Sequence, residues 1–194
     1  MWAALTDATR VPPLPPGDLE ALTAAVTQLR HRQAIADLAL LYTRAVDDCD
    51  LDAVVEMFTP DGVFERRGVA AKGAEQVREA YRVAMATYRT TLHTLDAHVV
   101  ELTGPDTAVG WAGGHAELVT GRTTVLAAYR YDDEYALVDS RWKFARRSIT
   151  FMYAVPADEV ASALSGPLRM RWPRTEAGPA DYPEGLPTWP IERE

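Results

Sequence analysis

The stretch Tyr42-Thr-Arg-Ala-Val-Asp47-Asp-Cys-Asp50-Leu-Asp-Ala-Val-Val-Glu-Met-Phe58-Thr-Pro-Asp61-Gly62 holds the end of one helix, the start of another and the turn that follows. Upstream of it, Leu19, Leu22, Val26 and Leu29, then Ile35, Leu38, Leu41 and Tyr42, recur at helical spacing, so that side chains three and four apart share a face. Gly17-Asp18 offers an N-cap, and the charged cluster Arg30-His31-Arg32 predicts a break into two helices. The pattern stops at Asp47-Asp48-Cys49-Asp50. Asp50 reads as the N-cap of a short helix from Leu51 to Phe58, and Thr59-Pro60-Asp61-Gly62 reads as a turn.

Downstream, Val63-Phe64-Glu65-Arg66 fits a short strand, and Ala74 to Ala86 fits an amphipathic helix with Val77, Ala80, Tyr81 and Ala84 on one face. After residue 90 the character becomes β-rich, in the runs Thr91–Leu102, Thr107–Val119, Thr123–Leu137 and Trp142–Tyr153. Gly104-Pro105-Asp106, Thr120-Gly121 and Asp139-Ser140 punctuate them as hairpin connections. Such runs in succession predict an antiparallel meander whose buried face the upstream helices cover. In the last run the apolar positions change parity across Arg146-Arg147, which predicts a β-bulge there and a curved sheet.

The expected fold class is therefore α+β, with three N-terminal helices packed on a curved, mainly antiparallel sheet. A proline-rich extension is expected over 1–17, the folded domain over 18–155, and a short helix (Ala157 to Leu164) with a proline-rich tail over 156–194. Trp172, Tyr182 and Trp189 in that tail point to docking, over a pocket or on another subunit.

The composition narrows the function. With 194 residues and 47% hydrophobic content, a sizeable core can be buried. The net charge is −8, and the adjacent basic pairs are Arg66-Arg67 and Arg146-Arg147; without a basic stripe no nucleic-acid partner is expected. The single cysteine, Cys49, sits among acids, so neither an internal disulfide nor an activated thiol is expected. No apolar run approaches the length of a membrane span and no leader-like N-terminus is seen, so a soluble cytoplasmic protein is expected, with no membrane partner.

Helix, helix, short strand, helix and four long strands is the order of the cone-shaped α+β barrel of the nuclear-transport-factor-2-like superfamily. Tyr42 to Gly62, Gly73-Ala-Glu-Gln-Val, Thr91-Leu-His93 and Arg141-Trp-Lys-Phe-Ala-Arg-Arg147 resemble the landmarks of its SnoaL-like branch, over roughly residues 20 to 155. Within that branch the chain resembles scytalone dehydratase and the bile-acid 7α-dehydratases. The resemblance implies that His93 is a general base, Asp47 its partner and Tyr42 a hydrogen-bond donor to substrate. It also implies a homodimer or homotrimer. One landmark departs: Leu118 stands near the second histidine of scytalone dehydratase, while His115 lies on the opposite face unless a bulge at Gly113-Gly114 intervenes.

The residues themselves leave alternatives open. Asp47 at a helix C-terminus has its carboxyl pKa raised by the dipole and by burial, and a nearby imidazolium offsets both; otherwise it is a polar residue in an acidic loop. His93 shares a strand face with Leu95, Ala97 and Val99, as a base or as a hydrogen-bonded core group, and Tyr42 is a catalytic hydroxyl or a core aromatic. Trp111 shares a face with His115, and both are expected to meet substrate. Tyr129, in phase with Tyr131 and Tyr135, lines a pocket or a subunit interface. Arg147 meets an anionic substrate group or a cross-strand partner. His98 and His31 are expected to be solvated. No metal site and no cofactor are expected: His93 and His98 differ in parity, and no phosphate loop or dinucleotide fingerprint is present.

The function expected is a cofactor-independent dehydratase, isomerase or cyclase acting on a small hydrophobic cyclic, polyketide-like or steroid-like molecule through an Asp–His dyad. The alternative is a non-catalytic cone that binds a hydrophobic ligand or serves as an accessory protein.

Overall fold

The computed structural model of the chain describes residues 10, 11, 13, 17–184, 186 and 189. The elements are α1 (Leu19–Asp47), α2 (Leu51–Glu56), β1 (Phe58–Arg66), β2 (Val69–Lys72), α3 (Gly73–Thr87), β3 (Thr90–Leu102), β4 (Thr107–Thr120), β5 (Thr123–Val138) and β6 (Arg141–Pro156). A 3₁₀ turn (Ala157–Glu159) and the single-turn helix α4 (Val160–Ala163) follow, where one longer helix was expected. One six-stranded sheet has the order β2-β1-β6-β5-β4-β3. Its pairs are antiparallel except β1 with β6.

The expected break in the first helix does not occur. α1 runs without interruption for 29 residues from its N-cap Asp18, whose side chain accepts from the Ala21 N–H. The charged cluster docks the helix instead. Arg32 reaches Glu101 at 2.6 Å and also donates to the Val100 carbonyl. His31 is not solvated as expected: it packs edge-on against Trp142 and accepts from its indole N–H at 2.9 Å. Downstream, α1 buries Ile35, Leu38, Tyr42 and Ala45 on the sheet, while Leu19, Leu22, Val26 and Leu29 stay exposed. Asp50 caps α2 by accepting from Ala53 N–H at 3.0 Å.

Thr59-Pro60-Asp61-Gly62, expected as a turn, is an irregular stretch of β1 in which Pro60 and Asp61 are exposed while Thr59 and Gly62 are buried. Phe58 pairs with Phe144 and Val63 with Arg146, so the residues between have no partners in the ladder. Proline and glycine suit such an interruption because neither contributes well to a strand interior. β2 is an edge strand that the sequence pattern did not show.

Bulges set the curvature. On β6, Ala145 is the extra residue between the pairs Tyr135↔Phe144 and Glu134↔Arg146, beside the expected position. This moves the inward set from Trp142 and Phe144 to Arg147, Ile149 and Phe151. On β3, Asp96 is the extra residue, opposite Gly113 and Gly114. The bulge therefore lies on the partner strand rather than at the glycines. Thr91, His93 and Leu95 face the core before it, and His98 and Val100 after it. Ala97 and Val99 consequently leave the face of His93, correcting the uninterrupted alternation assumed from sequence.

The inner face of β4 is built from Ala108, Gly110, Ala112, Gly114 and Ala116. These small residues make room for the large ones of the next strand. A Cβ on Gly110 would lie 2.7 Å from the Tyr135 ring, and one on Gly114 2.6 Å from the Tyr129 hydroxyl.

The tail packs against its own chain. Met170 bridges Ala154 beyond the end of β1 and then pairs with Gly178. Asp181 accepts from the Phe151 N–H at 2.9 Å. Tyr182 is buried over Arg130, whose guanidinium lies 4.0 Å from its ring centre. Pro187 and Pro190, like most of the proline-rich N-terminal extension, fall outside the described residues. Among the described residues no helix is long and apolar enough to cross a membrane.

Candidate active site

A cavity of about 650 Å³ opens between α1, α3 and the concave face of the sheet, within the roughly 300–1,000 Å³ of small-molecule sites. Leu118, Ile149, Phe151, Phe64 and Met85 give it apolar walls, and Tyr42, Tyr81, Tyr129 and Tyr131 line it as well. Asp47, at the last turn of α1, and His93, near the start of β3, both line it.

The two groups meet. His93 Nδ1 lies 2.6 Å from Asp47 Oδ1, and the His93 backbone N–H donates to Oδ2 at 2.8 Å. Thr91 Oγ1 donates to Oδ1 at 2.9 Å. The carboxylate thus holds the imidazole and the strand carrying it. Facing a carboxylate, Nδ1 carries the proton, which leaves Nε2 as the basic nitrogen. Among the described residues Nε2 has no protein hydrogen-bond partner, and the Tyr129 ring centre lies 5.9 Å from that of His93. Burial pushes the Asp47 carboxyl up, but the hydrogen bonds from the His93 ring, the His93 backbone and Thr91 outweigh it and hold the pKa below the ordinary carboxylate value. The offset expected from a neighbouring imidazole is thus present and exceeds the rise from burial.

Tyr42 is buried, with its hydroxyl 2.7 Å from that of Tyr81. Its ring packs edge-on against Tyr131 and Phe144. Burial, reinforced by Tyr81, pushes the Tyr42 phenol well above its usual range, so it stays protonated. Two hydroxyls sharing one hydrogen bond keep one O–H to offer. Tyr129 lines the cavity too, with its hydroxyl donating to the Thr94 carbonyl at 3.3 Å.

Three residues expected to contact substrate lie elsewhere. Trp111 and His115 are on the convex face of β4, where Trp111 stands 5.8 Å from the Arg130 guanidinium and His115 pairs with Asp96. The Asp96 bulge on β3 does not turn β4 around, so His115 keeps its outward parity. Arg147 is inward but lies behind the cavity wall. It forms a two-pronged pair with its cross-strand partner Asp133, at 2.9 and 2.8 Å, and its guanidinium packs about 4 Å from the rings of Tyr42, Tyr131 and Phe144. His98 is not solvated as expected: its Nε2 lies 3.1 Å from the Tyr135 hydroxyl.

The sequence pattern did not single out Thr91 and Tyr81 as site residues. Tyr81 was legible as the aromatic of an amphipathic helical face, and Thr91 as the residue in phase with His93. Trp172, expected to dock over a pocket or on another subunit, reaches the cavity from the tail. Among the described residues no group of three or more His, Cys, Asp or Glu side chains is placed to hold a metal ion.

A family model described as a SnoaL-like domain matches residues 27–148. Several solved structures share the fold. A candidate scytalone dehydratase of Novosphingobium aromaticivorans DSM 12444 is 19% identical, with a TM-score of 0.64, covering 68% of this chain and 90% of its own. The type-3 hexachlorocyclohexane dehydrochlorinase of Novosphingobium barchaimii LL02 is 24% identical, with a TM-score of 0.63, over 68% and 93%. A candidate aromatic ring hydroxylase of Novosphingobium aromaticivorans is 29% identical, with a TM-score of 0.62, over 69% and 97%. No curated protein matches the sequence.

Proposed function

Because the chain belongs to the SnoaL-like domain family of the nuclear-transport-factor-2-like superfamily, we propose that it is a cofactor-independent acid–base enzyme that eliminates water from a small hydrophobic cyclic molecule, with isomerisation or cyclisation as related outcomes. The observation that carries this reading is the 2.6 Å contact between His93 Nδ1 and Asp47 Oδ1 at the wall of an apolar cavity. Fold alone assigns no chemistry; the dyad does the arguing. Two of the neighbours bear the names of eliminating enzymes, a dehydratase and a dehydrochlorinase, and this supports the choice of elimination.

His93 Nε2 takes a proton from the carbon alpha to a substrate carbonyl. Asp47 keeps the ring in the required tautomer and balances the imidazolium that forms. The O–H left over from the Tyr42–Tyr81 pair donates to the carbonyl oxygen as negative charge develops on it. The imidazolium then returns its proton to the departing β-hydroxyl, so that water leaves and a conjugated double bond remains. Tyr129 forms wall rather than machinery, since its hydroxyl is directed at Thr94.

The test is conversion of a panel of cyclic β-hydroxyketones, followed as loss of water by mass spectrometry, for the natural sequence, Asp47→Asn and His93→Ala. The proposal requires at least one substrate whose turnover falls by about 10²–10⁴ in His93→Ala while the circular dichroism spectrum is unchanged. Ligands that bind equally to all three proteins, with no product from any, would establish the binding-protein alternative instead.

A further inference from the structure

The cavity carries a charge pattern that the elimination chemistry does not use. Among the described residues its lining includes three arginines, Arg66, Arg67 and Arg89, and one acidic residue, Asp47, in a chain whose net charge is −8. Asp47 is already engaged by His93 and Thr91. Arg67 is balanced by Asp181 at 3.4 Å, and Arg89 is exposed at the start of β3. Arg66 differs from both. It is half-buried, and its neighbour Glu65 is taken up by Arg146. Among the described residues no carboxylate pairs with Arg66.

Its position is nonetheless fixed. The guanidinium lies 5.3 Å from the ring centre of Phe151 and 5.0 Å from that of Trp172. Those two rings meet edge to face, 5.6 Å apart, and Tyr88, just past α3, is near enough for the Arg66 charge to offset part of the rise that burial gives its phenol. Cation–aromatic contacts hold a guanidinium without neutralising it, so its planar fork of donors remains available. Trp172 lies beyond residues 27–148, the part matched by the family model; the cradle is thus supplied by the tail of this chain.

The sheet order gives the geometry. Arg66 is on β1 and His93 on β3, with β6, β5 and β4 between them. His93 and Arg66 thus line the same cavity from strands at opposite sides of the sheet, with Leu118, Ile149 and Phe151 also in its wall, and a molecule whose reacting carbon sits at His93 can extend towards Arg66.

Resting on the elimination reading of the same cavity, we propose that the substrate is an amphiphile: an apolar ring system with a carboxylate at the end remote from the reacting carbon, received by Arg66 in the corner of Phe151 and Trp172. Arg66 is a specificity residue. It makes no contact with the reacting atoms.

Calorimetric titration of the full chain with naphthoate and with its neutral isostere naphthamide, at low ionic strength, tests this without requiring turnover. The acid binds about tenfold tighter than the amide, in keeping with a charge-assisted two-pronged hydrogen bond. Arg66→Gln reduces the preference to within about twofold while amide affinity, which reports an intact cavity, stays nearly constant; Arg66→Lys retains part of it. His93→Ala keeps the full preference, so a protein that never turns a substrate over still yields the result. Equal binding of acid and amide, binding of neither, or a preference that survives Arg66→Gln overturns the proposal. Dyad-dependent turnover confined to neutral compounds would overturn it while leaving the elimination chemistry standing.

Discussion

Asp133→Asn is predicted to be the most damaging isosteric change in the wall behind the site. Asp133 and Arg147 have side chains 0% and 1% exposed, so replacing the carboxylate by an amide leaves a guanidinium without counter-charge in a dry interior. Tyr42, Tyr131 and Phe144 surround it, and among the described residues Nη1 already has no hydrogen-bond partner. Burial works against the charge of Arg147, and Asp133 outweighs it to hold the guanidinium's pKa above its ordinary value. Breaking such a pair costs about 3–5 kcal/mol, against about 0–1 kcal/mol for an exposed one. At about 2–4 °C per kcal/mol in a chain of this size, the Tm falls by roughly 6–20 °C. Urea unfolding at neutral pH, followed by far-ultraviolet circular dichroism, measures the loss directly. The double variant Asp133→Leu/Arg147→Met removes both charges and regains most of the stability, because a buried pair replaced by packed apolar groups is often close to neutral. A loss below about 1 kcal/mol for Asp133→Asn, or a double variant less stable than Asp133→Asn, would refute the reasoning.

Further consequences follow from other contacts. Gly114→Ala places a Cβ 2.2 Å from the Thr94 carbonyl oxygen and 2.6 Å from the Tyr129 hydroxyl; overpacking of this kind costs about 1–3 kcal/mol, read from the urea midpoint, and an unchanged midpoint would show that β3 and β4 approach less closely. Thr91→Val removes one donor to Asp47 and lowers turnover about tenfold, equivalent to one hydrogen bond to a charged group; unchanged kcat would make Thr91 incidental. Asp47 contributes to acid stability with a definite sign. Its folded-state pKa lies below the ordinary 3.8, so its contribution is complete above that value and disappears as pH falls through the folded-state pKa. Asp47→Asn therefore has a flatter stability profile over that acid range, and profiles of equal slope would contradict the dyad's hydrogen bonds.

The helices and long strands were legible because their hydrophobic periods are strong, and Asp47 and His93 were legible through the SnoaL-like landmarks around them. Arg30-His31-Arg32 misled because local charge was read as solvent exposure, whereas Arg32 and His31 sit where Glu101 and Trp142 receive them and only Arg30 stays exposed. Strand parity fails wherever a bulge adds a residue. Asp96 shifts His98 inward, and no local residue type announces it. The Asp133–Arg147 pair had a trace in the sequence: Asp133 is in phase with Tyr129, Tyr131 and Tyr135, so a buried carboxylate was implied and with it a buried cation. Trp172 was legible as a tail aromatic that docks, but not where it docks, since the tail's path depends on where β1 ends and leaves the edge of β6 open near Ala154.

Exchange of the alpha protons of β-tetralone for deuterium in D₂O, followed by proton NMR, bears most directly on the central claim, because it reads proton abstraction without requiring the true substrate. The account predicts exchange accelerated above buffer by the natural sequence and reduced about 10²–10⁴-fold towards the buffer rate by His93→Ala, with Asp47→Asn also impaired. Exchange at the same rate in the natural protein and in His93→Ala, with the ketone bound to both, would contradict it.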